Sequence, residues 1–81
     1  MTILLFGITR DIVGSSTLAM PSSESKQFKT VRDLKSFLGS SYPELKKLSS
    51  LAVAVNNHYA ADDVLINSAD EIALIPPVSG G

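Results

Sequence analysis

The residues best suited to chemistry are the last six, which read Pro-Pro-Val-Ser-Gly-Gly from Pro76 to Gly81. Gly80 and Gly81 carry no side chain, so this end of the chain can pass through a slot too narrow for other residues. The reactive group is the α-carboxylate of Gly81, which is ionised at neutral pH. A carboxylate is a poor electrophile until it is activated, for instance as a mixed anhydride with AMP. The activated carbonyl then accepts a nucleophile such as sulfide or an amine.

Two prolines stand immediately before this reactive end. Pro76 and Pro77 fix φ and favour extended backbone, so they should direct the tail away from the body of the protein. Fully extended, the chain from Pro77 to Gly81 reaches roughly 16 Å. We therefore expect a domain over residues 1–75 and an extended, flexible tail over 76–81. The alternative is an inert, frayed terminus, since chain ends are commonly disordered.

The rest of the sequence offers little other chemistry. The chain has no cysteine, which excludes disulfides, thiolate metal sites and a cysteine nucleophile. His58 stands in a turn-like context without an obvious acidic partner, and Asp62-Asp63 lacks the spacing of an EF-hand loop, so a solvated turn is expected at both. No glycine-rich phosphate loop follows a strand. We expect no metal site, no bound cofactor and no reactive group other than the carboxyl terminus.

Length and charge limit the class of protein. With 81 residues and 44% hydrophobic residues, the chain predicts one small globular domain. Its net charge of −1 provides no basic surface for a phosphate backbone, so a nucleic acid partner is not expected. The start of the chain lacks a positively charged signal region, and no apolar run is long enough for a membrane span. These features favour a cytoplasmic protein.

The alternation of strand and helix patterns predicts how the tail is positioned. Thr30 followed by Asp33 is close to a helix capping box, and Gly39 is placed to end that helix. One further helical turn is expected after Pro43. A turn that stops at Gly14 should follow the first strand, and residues 21–29 should form a loop in which Phe28 is buried. Asn56-Asn57 suits a tight turn, because both residues can adopt positive φ. A single main helix covering one face of a mixed sheet is an α+β arrangement. The predicted strands cover Ile3–Ile8, Ser15–Met20, Leu51–Val55, His58–Ala60 and Glu71–Ile75.

One helix cannot cover both faces of this sheet. The strand residues that alternate away from the helix carry no charge, which makes them a candidate docking surface beside the tail. The alternative is that isolated exposed apolar residues are ordinary on protein surfaces. The expected outward residues are Leu4, Phe6, Ala52, Ala54, Ala73 and Ile75.

Four segments together resemble a known family, the small subunits of molybdopterin synthase. The terminal block is the specific part, and the match runs over nearly the whole chain. The resemblance implies a ubiquitin-like β-grasp fold with four to five strands and one main helix. The segments are Phe6-x-x-x-Arg10-Asp11-x-x-Gly14, Thr30-Val31-x-x-Leu34, Val53-Ala54-Val55-Asn56 and Asp70-Glu71-Ile72-Ala73-x-x-Pro76-Pro77-Val78-Ser79-Gly80-Gly81.

The resemblance also implies a role as a sulfur carrier. In such proteins a ubiquitin-activating-like adenylyltransferase uses ATP to adenylate the terminal carboxylate, here that of Gly81, which becomes a thiocarboxylate. The tail then enters the large synthase subunit and gives sulfur to cyclic pyranopterin monophosphate, in a tetramer of two small and two large subunits. The small subunit is no enzyme on its own. The implied partner contacts are Phe6, Ile75, Pro76, Pro77, Val78 and Ser79, and Gly80 belongs with Gly81 to the catalytic end of the tail.

Two departures and several alternatives accompany this resemblance. Leu74-Ile75 stands where family members often carry aromatic residues, and residues 67–70 lack a common glycine. A related carrier could serve thiazole synthesis or tRNA thiolation instead. A ubiquitin-like modifier would join Gly81 to a lysine amine, and a pure interaction module would use neither reaction.

Overall fold

A five-stranded mixed sheet forms the body of the protein in the computed structural model, which describes residues 1–48 and 51–76. The strand order is β2-β1-β5-β3-β4, with β1 and β5 parallel and the other pairs antiparallel. The elements are β1 (Thr2–Leu5), α1 (Ile8–Val13), β2 (Thr17–Ala19), α2 (Ser22–Ser25), α3 (Val31–Ser41), a 3-10 helix (Pro43–Lys47), β3 (Ala52–Val55), β4 (His58–Ala60) and β5 (Glu71–Ile75). The predicted α+β arrangement with one main helix is confirmed.

The core lies between α3 and one face of the sheet. Strand side chains alternate between faces, so every second residue of the central strands enters this layer. On the helix, positions three and four residues apart supply the opposing surface. None of the helices in the described ranges is long and apolar enough to cross a membrane. The core residues shared by these elements include Ile3, Leu5, Val53, Ile72, Leu74, Val31, Leu34 and Leu38, all buried.

The N-terminus of α3 has the predicted capping box. The Thr30 hydroxyl accepts a hydrogen bond from the Asp33 amide at 3.3 Å. In return, Asp33 Oδ2 accepts from the backbone amides of Lys29 at 3.0 Å and Thr30 at 3.2 Å. These hydrogen bonds, that from Lys29 foremost, hold the pKa of the Asp33 carboxyl below its ordinary value. The cap therefore depends on the ionised form of Asp33.

We expect Asp33→Asn to lower the free energy of unfolding at pH 7. In acid, the difference between the variant and wild type should disappear. A depressed folded-state pKa contributes stability above the ordinary carboxyl pKa of about 3.9. That contribution disappears as pH falls through the lower folded-state value. Urea unfolding of wild type and variant between pH 7 and strong acid measures the difference. Asp63→Asn, at an exposed position, is the control, and a pH-independent gap between wild type and Asp33→Asn would contradict the expectation.

Helix α3 continues past Gly39, where it was predicted to stop. It ends at Ser41 because Tyr42 precedes Pro43, and a residue before proline is disfavoured in helical backbone. Gly39 instead allows close packing of the 3-10 helix. A Cβ at this position would lie 2.8 Å from Cε of Lys46. The prediction of a further turn after Pro43 is confirmed, with Leu45 buried.

The first strand is shorter than predicted, and a helix follows it. The apolar run predicted a strand over Ile3–Ile8 and a turn after it, but β1 ends at Leu5. Residues Ile8–Val13 form α1, and the predicted stop at Gly14 is correct, with φ 89° there. The segment predicted as a loop before Phe28 also contains the one-turn helix α2, and Phe28 is buried as expected.

Candidate functional site

The tail begins at the centre of the sheet. Strand β5 lies between β1 and β3 and ends at Ile75, and the half-buried Pro76 follows it directly. The predicted tail residues Pro77, Val78, Ser79, Gly80 and Gly81 lie outside the described residues. The described part of the site is therefore the surface from which the tail departs.

A turn formed by residues 6–9, here called the exit turn, lies beside this departure point. Thr9 is fully buried, and its hydroxyl accepts a hydrogen bond from the Phe6 amide at 3.0 Å while donating to the Phe6 carbonyl. The Thr9 amide also donates to the Phe6 carbonyl at 3.1 Å. These bonds satisfy the polar groups released where β1 ends. The exit turn is thus held firmly to the end of β1.

Thr9 was not singled out from the sequence, although a local signal exists. A hydroxyl residue three positions after the last alternating residue can bond back to the backbone and close a turn. The combination of Gly7 and Thr9 directly after an apolar run fits that description. The apolar residues Phe6 and Ile8 continue the strand pattern, so the turn signal of Gly7 and Thr9 was overlooked.

Gly7 brings the exit turn against the base of the tail. Its φ is +56°, a backbone conformation that L side chains rarely adopt. A Cβ at Gly7 would lie only 3.0 Å from Cγ of Pro76. Gly7, which follows the predicted site residue Phe6, therefore lies against the predicted site residue Pro76. The sequence pattern did not indicate a functional role for this glycine.

The sheet face away from α3, here called the outer face, has no helix over it in the described ranges. Strand register places one row of residues across it: Thr17, Leu4, Ala73, Ala54 and Tyr59. The row includes three of the predicted outward residues. Phe6 is 50% exposed, as expected of an outward residue at the end of the face nearest the tail.

Two details of the outer face differ from expectation. Ala54 is buried, because a methyl group in the middle of a sheet is shielded by its cross-strand neighbours Ala73 and Tyr59. Glu71 has the same alternation as Ala73 and Ile75, so it adds a charge to this face. That charge lies at the start of β5, away from Pro76. The end beside the tail keeps the uncharged character that was predicted.

Asp62 lies in the expected turn, and its partly exposed side chain also contacts α3. Its carboxylate accepts a hydrogen bond from Lys35 Nζ at 3.0 Å, and its carbonyl accepts from the Arg32 amide at 2.9 Å. The ion pair is partly exposed, so its contribution to stability is at most about 1 kcal/mol. Within residues 1–48 and 51–76, no group of three or more histidine and acidic residues is placed to hold a metal ion.

A groove on another part of the surface lacks any connection to the exit turn. It has a volume of about 390 Å³ and lies between residues 26–29 and 65–68. Phe28 forms part of its floor, and neither Phe6 nor Pro76 lines it. The groove therefore lies apart from the predicted site residues that the structure describes.

Comparison with known proteins identifies the family in which this arrangement occurs. The sequence profile of the ThiS family matches residues 3–81, nearly the whole chain. The chain belongs to the ThiS family. The β-grasp fold expected from the sequence resemblance is that of its structural neighbours, and the prediction is confirmed.

Two similar ThiS-family relatives have the same name, molybdopterin synthase sulfur carrier subunit. The protein of Dictyostelium discoideum is 39% identical over 84 residues, covering 98% of this chain and 93% of the relative. That of Arabidopsis thaliana is 37% identical over 82 residues, covering 98% and 80%. The resemblance to molybdopterin synthase small subunits is thereby confirmed.

This chain is also similar to the solved structure of a protein that is named a modifier and not a sulfur carrier. The crystal structure of SAMP1, a small archaeal modifier protein, from Haloferax volcanii superimposes with a TM-score of 0.73. The two sequences are 27% identical, and the match covers 99% of this chain and 97% of the other. Proteins called sulfur carrier subunits and a protein called a modifier are thus both similar to this chain.

Proposed function

We propose that this ThiS-family protein is the sulfur carrier subunit of a molybdopterin synthase and works in the cytoplasm. The supporting observation is the match over 98% of the chain to two relatives of that name. The sulfur is held on Gly81 as a C-terminal thiocarboxylate. This assignment needs no cysteine in the carrier, which has none.

The proposed loading reaction uses two partners and no cofactor resident in this chain. An adenylyltransferase joins the Gly81 carboxylate to AMP from ATP and releases pyrophosphate. A sulfur donor then displaces AMP, leaving a thiocarboxylate whose soft sulfur is nucleophilic. The ATP is bound and consumed by the activating partner. The contribution of this chain is to present an unhindered carboxyl group on a narrow stem.

The proposed delivery reaction takes place in the large synthase subunit. The tail enters that subunit's active site, and the thiocarboxylate sulfur attacks cyclic pyranopterin monophosphate. Hydrolysis of the resulting thioester breaks the bond between the Gly81 carbonyl carbon and sulfur, so sulfur stays on the pterin and water restores the Gly81 carboxylate. Gly80 and Gly81 pass through a narrow channel, with Pro77, Val78 and Ser79 behind them. The product needs two sulfur atoms, which fits an assembly of two small and two large subunits.

The outer face supplies the docking surface for this transfer. Phe6, which is 50% exposed, and the partly buried Ile75 are the apolar residues proposed for its tail end. The strand register places the small residues Ala73 and Ala54 farther along the face. A partner that covers this face lies next to Pro76 and can receive the tail without a rearrangement of the domain.

A reconstitution experiment tests the proposal. Protein isolated from cells should contain a species heavier by about 16 Da, the replacement of one oxygen by sulfur. The thiocarboxylate and carboxylate forms are then each mixed with the large subunit and cyclic pyranopterin monophosphate. We expect molybdopterin only from the thiocarboxylate form. Equal product from both forms, or tight binding to a thiazole synthase in place of the large subunit, would overturn the assignment.

Protein modification is the second candidate function, favoured by the likeness to a small archaeal modifier protein. The same acyl-adenylate of Gly81 would then meet a lysine amine and form an isopeptide bond with release of AMP. Cells producing a tagged form of the protein would show a ladder of conjugates on denaturing gels. Absence of that ladder, with the thiocarboxylate present, favours sulfur delivery alone.

A further inference from the structure

Gly7 combines two features that make any side chain costly there. Its backbone has φ 56° and ψ −133°, a region that is essentially reserved for glycine. Its carbonyl also accepts the hydrogen bond from the Arg10 amide at 3.1 Å that opens α1. The chain direction at this point is therefore set by a residue that others cannot replace without strain.

The missing side chain of Gly7 leaves the space that Pro76 occupies. A Cβ at Gly7 would lie 3.0 Å from Cγ of Pro76, closer than ordinary van der Waals contact. The proline ring cannot rotate away freely, because it is part of the backbone and fixes φ. A methyl group at Gly7 must therefore displace Pro76 or distort the exit turn.

Both sides of this contact are anchored to the centre of the sheet. Gly7 follows β1 and is held by the hydrogen bonds of Thr9 to Phe6. Pro76 follows β5, which pairs with β1 up to Leu5 and Leu74. The contact thus lies at the point where the chain leaves β5.

We propose that Gly7 is a positioning residue that sets the direction of the reactive tail by seating Pro76 against the exit turn. Gly7 acts at the base of the tail, so a shift of Pro76 changes the directions that the chain after it can take. Misplacement of a reacting group by about 1 Å can cost a hundredfold in rate. The catalytic consequence rests on the proposed sulfur-carrier function, whereas the direction of the tail does not.

The chain offers a matched control for a substitution at Gly7. Gly14 also has a positive φ, 89°, but a Cβ there would meet nothing within 4 Å. Gly7→Ala and Gly14→Ala therefore both strain a glycine backbone, and only the first encroaches on Pro76. Pro76→Ala removes Cγ, the atom that the methyl group would approach, and leaves Gly7 unstrained.

The direction of the tail is measured by amide residual dipolar couplings of residues 78–80 in weakly aligned, isotope-labelled protein. We expect Gly7→Ala to change these couplings relative to those of the sheet, and Gly14→Ala to leave them as in wild type. The double variant with both Gly7→Ala and Pro76→Ala should have the same tail couplings as Pro76→Ala alone. Wild-type couplings in Gly7→Ala, or equal changes in both glycine variants, would overturn the proposal. Should Gly7→Ala not fold, unchanged tail couplings in Pro76→Ala would overturn it instead.

The reaction is measured with the thiocarboxylate forms and the large subunit. We expect Gly7→Ala to lower kcat for sulfur transfer by about tenfold or more, with KM for the carrier changed far less, because docking uses the outer face. Gly14→Ala should keep the wild-type kcat. A wild-type kcat in Gly7→Ala with altered couplings overturns the positioning role. Failure of the wild-type thiocarboxylate itself to transfer sulfur overturns the proposed function, and the couplings still decide the direction of the tail.

Discussion

Deletion of Gly81 is expected to abolish sulfur delivery while leaving the domain folded. The deletion moves the terminal carboxylate back along the tail by roughly 3.3 Å. A shift of about 1 Å can cost a hundredfold in rate, so product should fall below detection. The measurement is molybdopterin formation in the presence of the large subunit, the adenylyltransferase, ATP and a sulfur donor. Thermal unfolding should match that of wild type, because the deletion lies beyond β5.

Asp63→Asn serves as the control for this deletion. It changes an exposed turn residue and keeps the length of the tail and both terminal glycines. We expect it to retain the wild-type sulfur transfer. Product formation by the Gly81-deleted protein at a rate comparable to Asp63→Asn would rule out chemistry at the terminal carboxylate.

Ala73→Glu should prevent docking on the large subunit. Ala73 lies in the middle of the outer face, between Leu4 and Ala54 in the strand register. A carboxylate buried there without a partner costs about 3 kcal/mol or more, which weakens binding by a hundredfold or more. Isothermal titration of the large subunit with the carrier measures the change in Kd. The next residue, Ile72, faces the core, so the substitution leaves the interior packing unchanged.

Ala69→Glu is the matched control for the docking experiment. It introduces the same charge at an exposed turn residue before β5, at the end of that strand away from Pro76. We expect wild-type affinity from this variant and wild-type unfolding from both. Equal weakening by the two substitutions would point to net charge as the cause and would contradict docking through the outer face.

Local patterns were enough to predict the elements that hold the tail. The alternation of Glu71–Ile75 and the capping box of Thr30 and Asp33 each depend on residues close in sequence, and both predictions are correct. Asn56-Asn57 was likewise expected to form a tight turn, and both residues have positive φ, 50° and 71°. In these cases the physical cause acts within a few residues, so the sequence displays it directly.

The exit turn was missed because only part of its cause is local. The apolar run through Phe6 and Ile8 satisfies a strand pattern, which obscured the local hydrogen bonds between Thr9 and Phe6. The packing of Pro76 against Gly7 joins opposite ends of the chain. Hydrophobic periodicity within one segment cannot predict such a contact.

Long-range pairs escaped prediction for the same reason. Lys35 and Asp62 are 27 positions apart, and each separately resembles an ordinary surface charge. Phe28 was expected to be buried, but its tilted ring contact with Phe37, 5.0 Å between centroids, depends on how the loop before α3 folds back. Such pairs become visible only when the topology brings two segments together.

The central position of β5 has a mechanical consequence for the proposed delivery reaction. A pull on Pro76 runs along β5 and loads its ladders to β1 and β3 at the same time. The two rows of hydrogen bonds must then shear together, whereas an edge strand pulled in the same direction would be held by one ladder. In the proposed reaction, a partner can therefore draw the terminus into its active site without unfolding the domain that holds the other end.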